Sequence, residues 1–237
     1  MVASLGLCSA RAVEADHLAR IHVEAIGGME RLRALTSLRV TGVVYIDGRR
    51  LQFTMLAQRS NRVRIETRLG EHVLVQATDG KNPPWQVKPA AGSPAPSVLT
   101  GFEAREFAAD AEFDDPLVDY AAKGYALDYA GETTWDGRKS FKLLVTRRLV
   151  DSYYLVVDAE TYFITGKLAT RQLEDGTTAQ IVTRYEDFRP VAGVIMPFRI
   201  VVQAEGKPLH ETDLQTMDAN VPVPPGSFTM PVVKFTD

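Results

Sequence analysis

Reactive side chains are sparse in this chain, and their spacing argues against catalysis. Its 237 residues include 4 histidines and 1 cysteine. His17 and His22 stand five apart in a stretch of helical spacing, so they lie on different helix faces and do not share a metal. Both read as solvated or half-buried side chains, and His72 and His210 stand singly in strand patterns. Cys8 has no partner for a disulfide or a metal cluster. Its surroundings, Leu5-Gly6-Leu7-Cys8, match a lipoprotein acylation box poorly, because Leu7 stands where a small residue is needed. Two adjacent carboxylates can exchange protons, but Asp114-Asp115 and Glu174-Asp175 sit at a turn or before a helix, where acids serve solvation and capping. Gly-x-Ser-x-Gly, the phosphate loop, Gly-x-Gly-x-x-Gly, His-Glu-x-x-His and Cys-x-x-Cys are all missing from the sequence. No catalytic or metal-binding residue can be named, and the expectation is a chain that is not an enzyme.

Composition narrows the remaining classes. With 45% hydrophobic and 24% charged residues the chain is globular. A net charge of -3 gives no reason to bind nucleic acid. The basic pairs Arg49-Arg50 and Arg147-Arg148 fall beside turns and read as solvated surface. No apolar run reaches the ~18–20 residues that span a bilayer as a helix.

What the sequence does carry is a pattern of strands. From about Tyr125 to Met217, runs rich in β-branched and aromatic residues alternate with the turn signals Asp136-Gly137, Asp158 with Thr161, Asp175-Gly176, Ala192-Gly193 and Glu205-Gly206. Such short connections force antiparallel neighbours, since a parallel crossover needs a dozen or more residues. Leu38 to Ile46, Leu51 to Gln58, Arg62 to Leu69 and His72 to Thr78 form a first half-sheet. There Leu51, Phe53, Met55 and Ala57 oppose Gln52, Thr54 and Gln58, while Val63, Ile65 and Leu69 oppose Arg62, Arg64, Glu66 and Arg68. One face is apolar and the other polar. A short strand at Trp85 to Val87 is followed by a loop from Pro89 to Pro96. Helical composition then returns over Gly101 to Phe113 and Pro116 to Lys123, segments expected to cross the mouth of the curved sheet.

The start of the chain reads differently. Met1 to Ala15 is small and apolar and ends in Ala10-Arg11-Ala12 and Val13-Glu14-Ala15, which fits the back half of a secretory signal, or else a frayed helical start. From Asp16, a candidate N-cap, Leu18, Ile21, Ala25 and Ile26 share a helix face. A second short helix runs from Met29 to Leu35. Residues 16–237 are expected to form one domain.

Several of these segments together resemble the LolA-like superfamily, the periplasmic outer-membrane lipoprotein-sorting and carrier proteins. They are Ala25-Ile26-Gly27-Gly28-Met29-Glu30-Arg31-Leu32 with the strand Leu38 to Gly42, Pro116-Leu117-Val118-Asp119-Tyr120, and Gly131 with Trp135-Asp136-Gly137-Arg138. Tyr153-Tyr154-Leu155-Val156-Val157-Asp158 with Thr161, Tyr185-Glu186-Asp187-Phe188, Gly193-Val194-Ile195-Met196-Pro197, and Asn220 ahead of Phe228 and Pro231 complete the set. The resemblance implies a mainly β (α+β) fold: a single large curved antiparallel sheet forming an incomplete, half-open β-barrel of about eleven strands, covered by short helices. It further implies a monomeric periplasmic carrier that needs no cofactor and holds lipid or lipoprotein acyl chains in an apolar cavity. Arg39, Arg62 and Arg64 do not align with the family's lid arginine, and that role is not carried over.

An acyl chain of ~15 carbons is held out of water by about 0.8 kcal/mol per methylene, or roughly 12 kcal/mol. A carrier must offset much of this, and adaptable side chains such as methionine suit a cavity that re-forms around its cargo. The candidate lining is Val40, Val44, Phe53, Met55, Val63, Ile65, Leu155, Val157, Met196, Phe198 and Ile200. An alternating apolar face is also what packing of the helices requires. A sensor or scaffold that docks an envelope membrane protein, and a half-barrel shaping a reactive intermediate, are the alternative readings.

Overall fold

The computed structural model describes residues 3–88, 95–147, 151–172 and 177–232. Among the described residues, three helices, α1 (Ala3–Ala25), α2 (Met29–Ala34) and α3 (Gly101–Asp110), accompany thirteen strands. These are β1 (Ser37–Ile46), β2 (Arg49–Gln58), β3 (Arg62–Leu69), β4 (His72–Thr78), β5 (Trp85–Val87), β6 (Pro96–Val98), β7 (Tyr125–Trp135), β8 (Arg138–Arg147), β9 (Asp151–Asp158), β10 (Ile164–Gln172), β11 (Thr178–Val191), β12 (Val194–Ala204) and β13 (Lys207–Ala219). They hydrogen-bond as one antiparallel sheet in the order β6-β5-β4-β3-β2-β1-β13-β12-β11-β10-β9-β8-β7. The sheet is not closed, as expected for an incomplete barrel. The count is thirteen where the resemblance implies about eleven, and β5 and β6 are strands of only three residues each. Asp175-Gly176, Glu174, Arg148 and most of the Pro89–Pro96 loop lie outside the described residues.

Turn chemistry sets the sequential pairing. Asp47-Gly48, Asp136-Gly137, Ala192-Gly193 and Glu205-Gly206 each have both residues at positive φ. That is the type I′ geometry whose twist matches the strands it joins.

By packing, the chain divides into two compact units, Met1–Leu32 with Pro116–Glu211 and Arg33–Asp115 with Thr212–Asp237. In the first, α1 is buried along Ala15, Leu18, Ala19, His22, Val23 and Ile26. Of this i, i+3, i+4, i+7 stripe, Ala15, Leu18 and Ala19 cluster with Leu127, Leu143, Val145, Tyr153, Leu155 and Val157 of the sheet, and Val23 and Ile26 with Leu32, Val118 and Val194. The buried face is rotated from the expected one: Ile21 and Ala25 are only half-buried. Ala15 and Ala19 carry short side chains, which bring the helix backbone close to the strands. The helix starts well before Asp16, so Asp16 is an interior residue and not an N-cap. It accepts a hydrogen bond from the Tyr120 hydroxyl. His22, expected to be solvated or half-buried, is 1% exposed, and its Nδ1 lies 2.7 Å from the Tyr162 carbonyl oxygen, which makes Nδ1 the donor.

Pro116 to Lys123 forms successive turns and not the expected helix. Asp119 has φ 48°, outside the helical region, yet Leu117 and Val118 are still buried. At the end of α1, the Ile195 N–H donates to the Ile26 carbonyl at 2.8 Å. Gly27 follows with φ 132°, and a Cβ there would come within 2.4 Å of the Gly193 carbonyl oxygen. Only glycine allows this approach.

The β9–β10 corner is held by Asp158, whose side chain is 4% exposed. It accepts from Arg138 Nε at 2.6 Å, from the Glu160 and Thr161 N–H groups and from the Thr161 hydroxyl. The Arg138 hydrogen bond, foremost, holds this carboxyl well below its ordinary 3.8.

In the second unit, Arg59 donates to the Leu35 carbonyl at 3.1 Å, pairs with Asp114 and lies over the Phe113 ring. Trp85 Nε1 donates to the Phe228 carbonyl at 2.9 Å, and Arg64 Nη1 donates to that of Ser227 at 3.3 Å. The C-terminal segment is thereby bound to the polar-side face of β3 and β5.

Gly27→Ala should destabilise the protein by more than about 1 kcal/mol in urea unfolding, because φ and the Gly193 contact both oppose a side chain. A depressed folded-state value means that Asp158 stabilises fully above the unfolded-state value and loses its contribution as pH falls through the folded one. Stability should therefore decline below about pH 4, and Asp158→Asn should flatten that decline in urea titrations run across acid pH.

Candidate functional site

The residues expected to line a cavity divide between the two units. In the second unit, antiparallel register places Val40 opposite Met55 and Met55 opposite Ile65; Gly42 opposes Phe53, and Val44 opposes Leu51. Opposed residues share a face, so Val40, Val44, Phe53, Met55, Val63 and Ile65 lie on one face of β1–β3. Val40 and Val63 are buried at 0% and 5% exposure, whereas Val44, Phe53, Met55 and Ile65 remain half-buried. Leu51, Leu69 and Leu74 extend this half-buried surface. Their alternation was visible in the sequence, but Leu74 is tied to the face only by its register with Thr67. Phe53 owes its place to Gly42: a Cβ at that glycine would meet the phenyl ring at 2.8 Å.

The first unit treats its apolar residues differently. Leu155 and Val157, at 1% and 0% exposure, belong to the core beneath α1. Met196 packs against Val23, Ile26, Leu32, Val118 and Val194. Ile200 rests on Ala179, Ile181 and Val202. Phe198 is 7% exposed, with the Arg189 guanidinium 4.6 Å from its ring centroid. The structure thus gathers four half-buried members of the predicted set, with three leucines, on the β1–β4 face.

The opposite face is polar along β2 and β3, whereas β1 and β4 add the buried Val43 and Ala77 and the half-buried Val73 and Val75 to it. A recess of about 270 Å³ is lined by Thr41, Gly42, Gln52, Phe53, Thr54, Glu66, Arg68, Val73 and Gln215. Among the described residues, no cluster of His, Cys, Asp or Glu is placed to hold a metal ion, and no helix is long and apolar enough to cross a membrane.

No family model matches the sequence, and no curated protein is detectably similar to it. Solved structures are. A DUF1329 family protein from Desulfovibrio piger superposes with a TM-score of 0.64 at 11% identity, covering 92% of this chain and 97% of its own. A LolA superfamily protein from Nitrosomonas europaea gives a TM-score of 0.56 at 16% identity, with coverage of 94% and 97%. The fold is LolA-like. A domain from Vibrio parahaemolyticus, described as an outer membrane lipoprotein-sorting protein, agrees at a TM-score of 0.59 and 11% identity, with coverage of 92% and 97%. At these identities the likeness establishes architecture alone.

Core and half-buried positions should separate in mutagenesis. Leu155→Ala is expected to cost about 2–5 kcal/mol, as for a fully packed leucine, and Met55→Ala less than about 1.5 kcal/mol, both measured by urea denaturation.

Proposed function

We propose that the chain is a periplasmic binding protein that carries a lipid or lipoprotein acyl chain against the apolar face of β1–β4. The observation that supports this most directly is the row of large apolar side chains there, Phe53, Met55, Ile65, Leu69 and Leu74, which the fold leaves half-buried. In the first unit α1 covers Leu155 and Val157, while Met196 and Ile200 are half-buried within smaller clusters. A face held half in water costs hydration free energy unless something else covers it, and a hydrocarbon chain supplies the missing contacts at about 0.8 kcal/mol per methylene. The mixture of Phe, Met, Ile and Leu, lacking charge along its length, fits a flexible alkyl chain better than a polar cargo. Binding and release of such a chain need no catalytic group and no cofactor, and one copy of the chain contains the whole surface. The LolA-like fold and the lipoprotein-sorting description of one structural neighbour agree with this reading.

Fluorescent fatty-acid titration tests it. Phe53→Arg places a charge in the middle of the face and should weaken binding by at least roughly tenfold, since a charged side chain displaces apolar contacts and resists desolvation. Lys207→Glu, exposed on β13, should bind as the parent does. A folded Phe53→Arg protein with unchanged affinity would falsify the assignment.

A further inference from the structure

The face of β1–β3 opposite the apolar one is rich in arginine. Register sets Arg39 and Arg64 both opposite Leu56, Arg62 opposite Gln58, Arg50 opposite Tyr45 and Arg68 opposite Val73. Alternation along each strand then projects all five guanidinium groups from one side, with Arg64 engaged by the C-terminal segment at the Ser227 carbonyl. Glu66 is the carboxylate that these strands place among them, and Arg64 already holds it, Nε to Oε1, at 2.7 Å. The Thr41–Thr216 hydroxyl contact at 2.8 Å puts Thr216 on this side too, and with it, two residues along β13, Asp218. Among the described residues, Arg39, Arg50 and Arg68 make no ion pair. A cationic face on a chain of net charge -3 is a local arrangement and not a reflection of composition.

We infer that this face docks on the phosphate-bearing surface of an anionic lipid bilayer. The rows occupied by Arg39 and Arg50 are separated by three row intervals along β1 and β2, or roughly 20 Å at strand rise. Cations that far apart cannot converge on one small anion; they match an extended array of charges. Tyr45, 41% exposed, shares the face. Its aromatic body and hydroxyl suit the boundary between headgroups and acyl chains. Arg68 opens onto the 270 Å³ recess beside Gln52 and Thr54, whose amide and hydroxyl can hydrogen-bond a phosphate and its polyol. The inference stands apart from acyl-chain carriage, because it concerns the other side of the same strands.

Co-sedimentation with phosphatidylcholine vesicles, with and without phosphatidylglycerol, tests it. The protein should bind the phosphatidylglycerol vesicles, lose that binding as salt is raised, and ignore phosphatidylcholine alone. Arg39→Gln/Arg68→Gln should lower the partition by about 30-fold, from roughly fivefold per arginine. Arg50→Gln alone, at an exposed hairpin end, should lower it about fivefold and serves if the double variant misfolds. Arg20→Gln/Arg105→Gln removes equal charge from two helices and should partition as the parent does. Equal partition of the two double variants, no preference for phosphatidylglycerol, or displacement by soluble glycerol phosphate would each overturn the inference; the last outcome assigns the arginines to a small-anion site. Fatty-acid affinity measured on the same variants should not change, so failure here is distinct from failure of the carrier reading.

Discussion

Apolar surface that a strand exposes on one side must be covered, and the way each unit meets that demand shapes everything else in the molecule. In the first unit the cover is α1. Its stripe of Ala15, Leu18, Ala19, Val23 and Ile26 meets the sheet, and the Ile26–Ile195 hydrogen bond with the Gly27–Gly193 contact holds the end of the helix in place. Leu155 and Val157 are consumed by that packing. In the second unit Phe53, Met55, Ile65 and Leu74 keep part of their surface exposed. Apolar strand residues thus form a closed core in one place and a half-buried surface in the other.

The two sides of β1–β3 divide the physical tasks. One side offers dispersion contacts and exclusion of water, with nothing charged along the Val40–Met55–Ile65 row. The other offers long-range attraction through Arg39, Arg50 and Arg68. Because side-chain direction alternates strictly along a strand, a sequence can build both on the same backbone without either interfering with the other. A shift of register by one residue would exchange the two sets, which is why the type I′ turn at Asp47-Gly48 matters for function as well as for folding.

Much of this was legible beforehand. Turn dipeptides and period-two alternation located β3, β4 and β5 to the residue, and they placed most other strands within a few residues. The apolar half of β1–β3 was legible for the same reason. Other features were not. Helical spacing puts the buried face of α1 on Leu18, Ile21, Ala25 and Ile26; Leu18 and Ile26 are buried, but Ile21 and Ala25 are not, because spacing alone does not reveal that alanines at 15 and 19 allow closer approach. Pro116 to Lys123 has helical composition, but Asp119 adopts a positive φ that local propensity does not register. β6 was hidden in a proline-rich stretch. Above all, Leu155 and Val157 stand in an uninterrupted apolar run, Tyr153 to Val157, with Val156 buried as well, whereas Phe53, Met55 and Ile65 alternate with polar residues; the run marks a strand buried on both faces, but which element covers it is a tertiary matter.

Photo-crosslinking with a fatty acid bearing a diazirine near the end of its chain, followed by peptide mapping, tests most directly whether the bare face holds hydrocarbon. Adducts concentrated on β2, β3 and β4, at Phe53, Met55, Ile65 and Leu74, and competed away by unlabelled fatty acid, are the predicted result. Labelling that is absent, or not reduced by competitor, or confined to strands outside β1–β4, would contradict it.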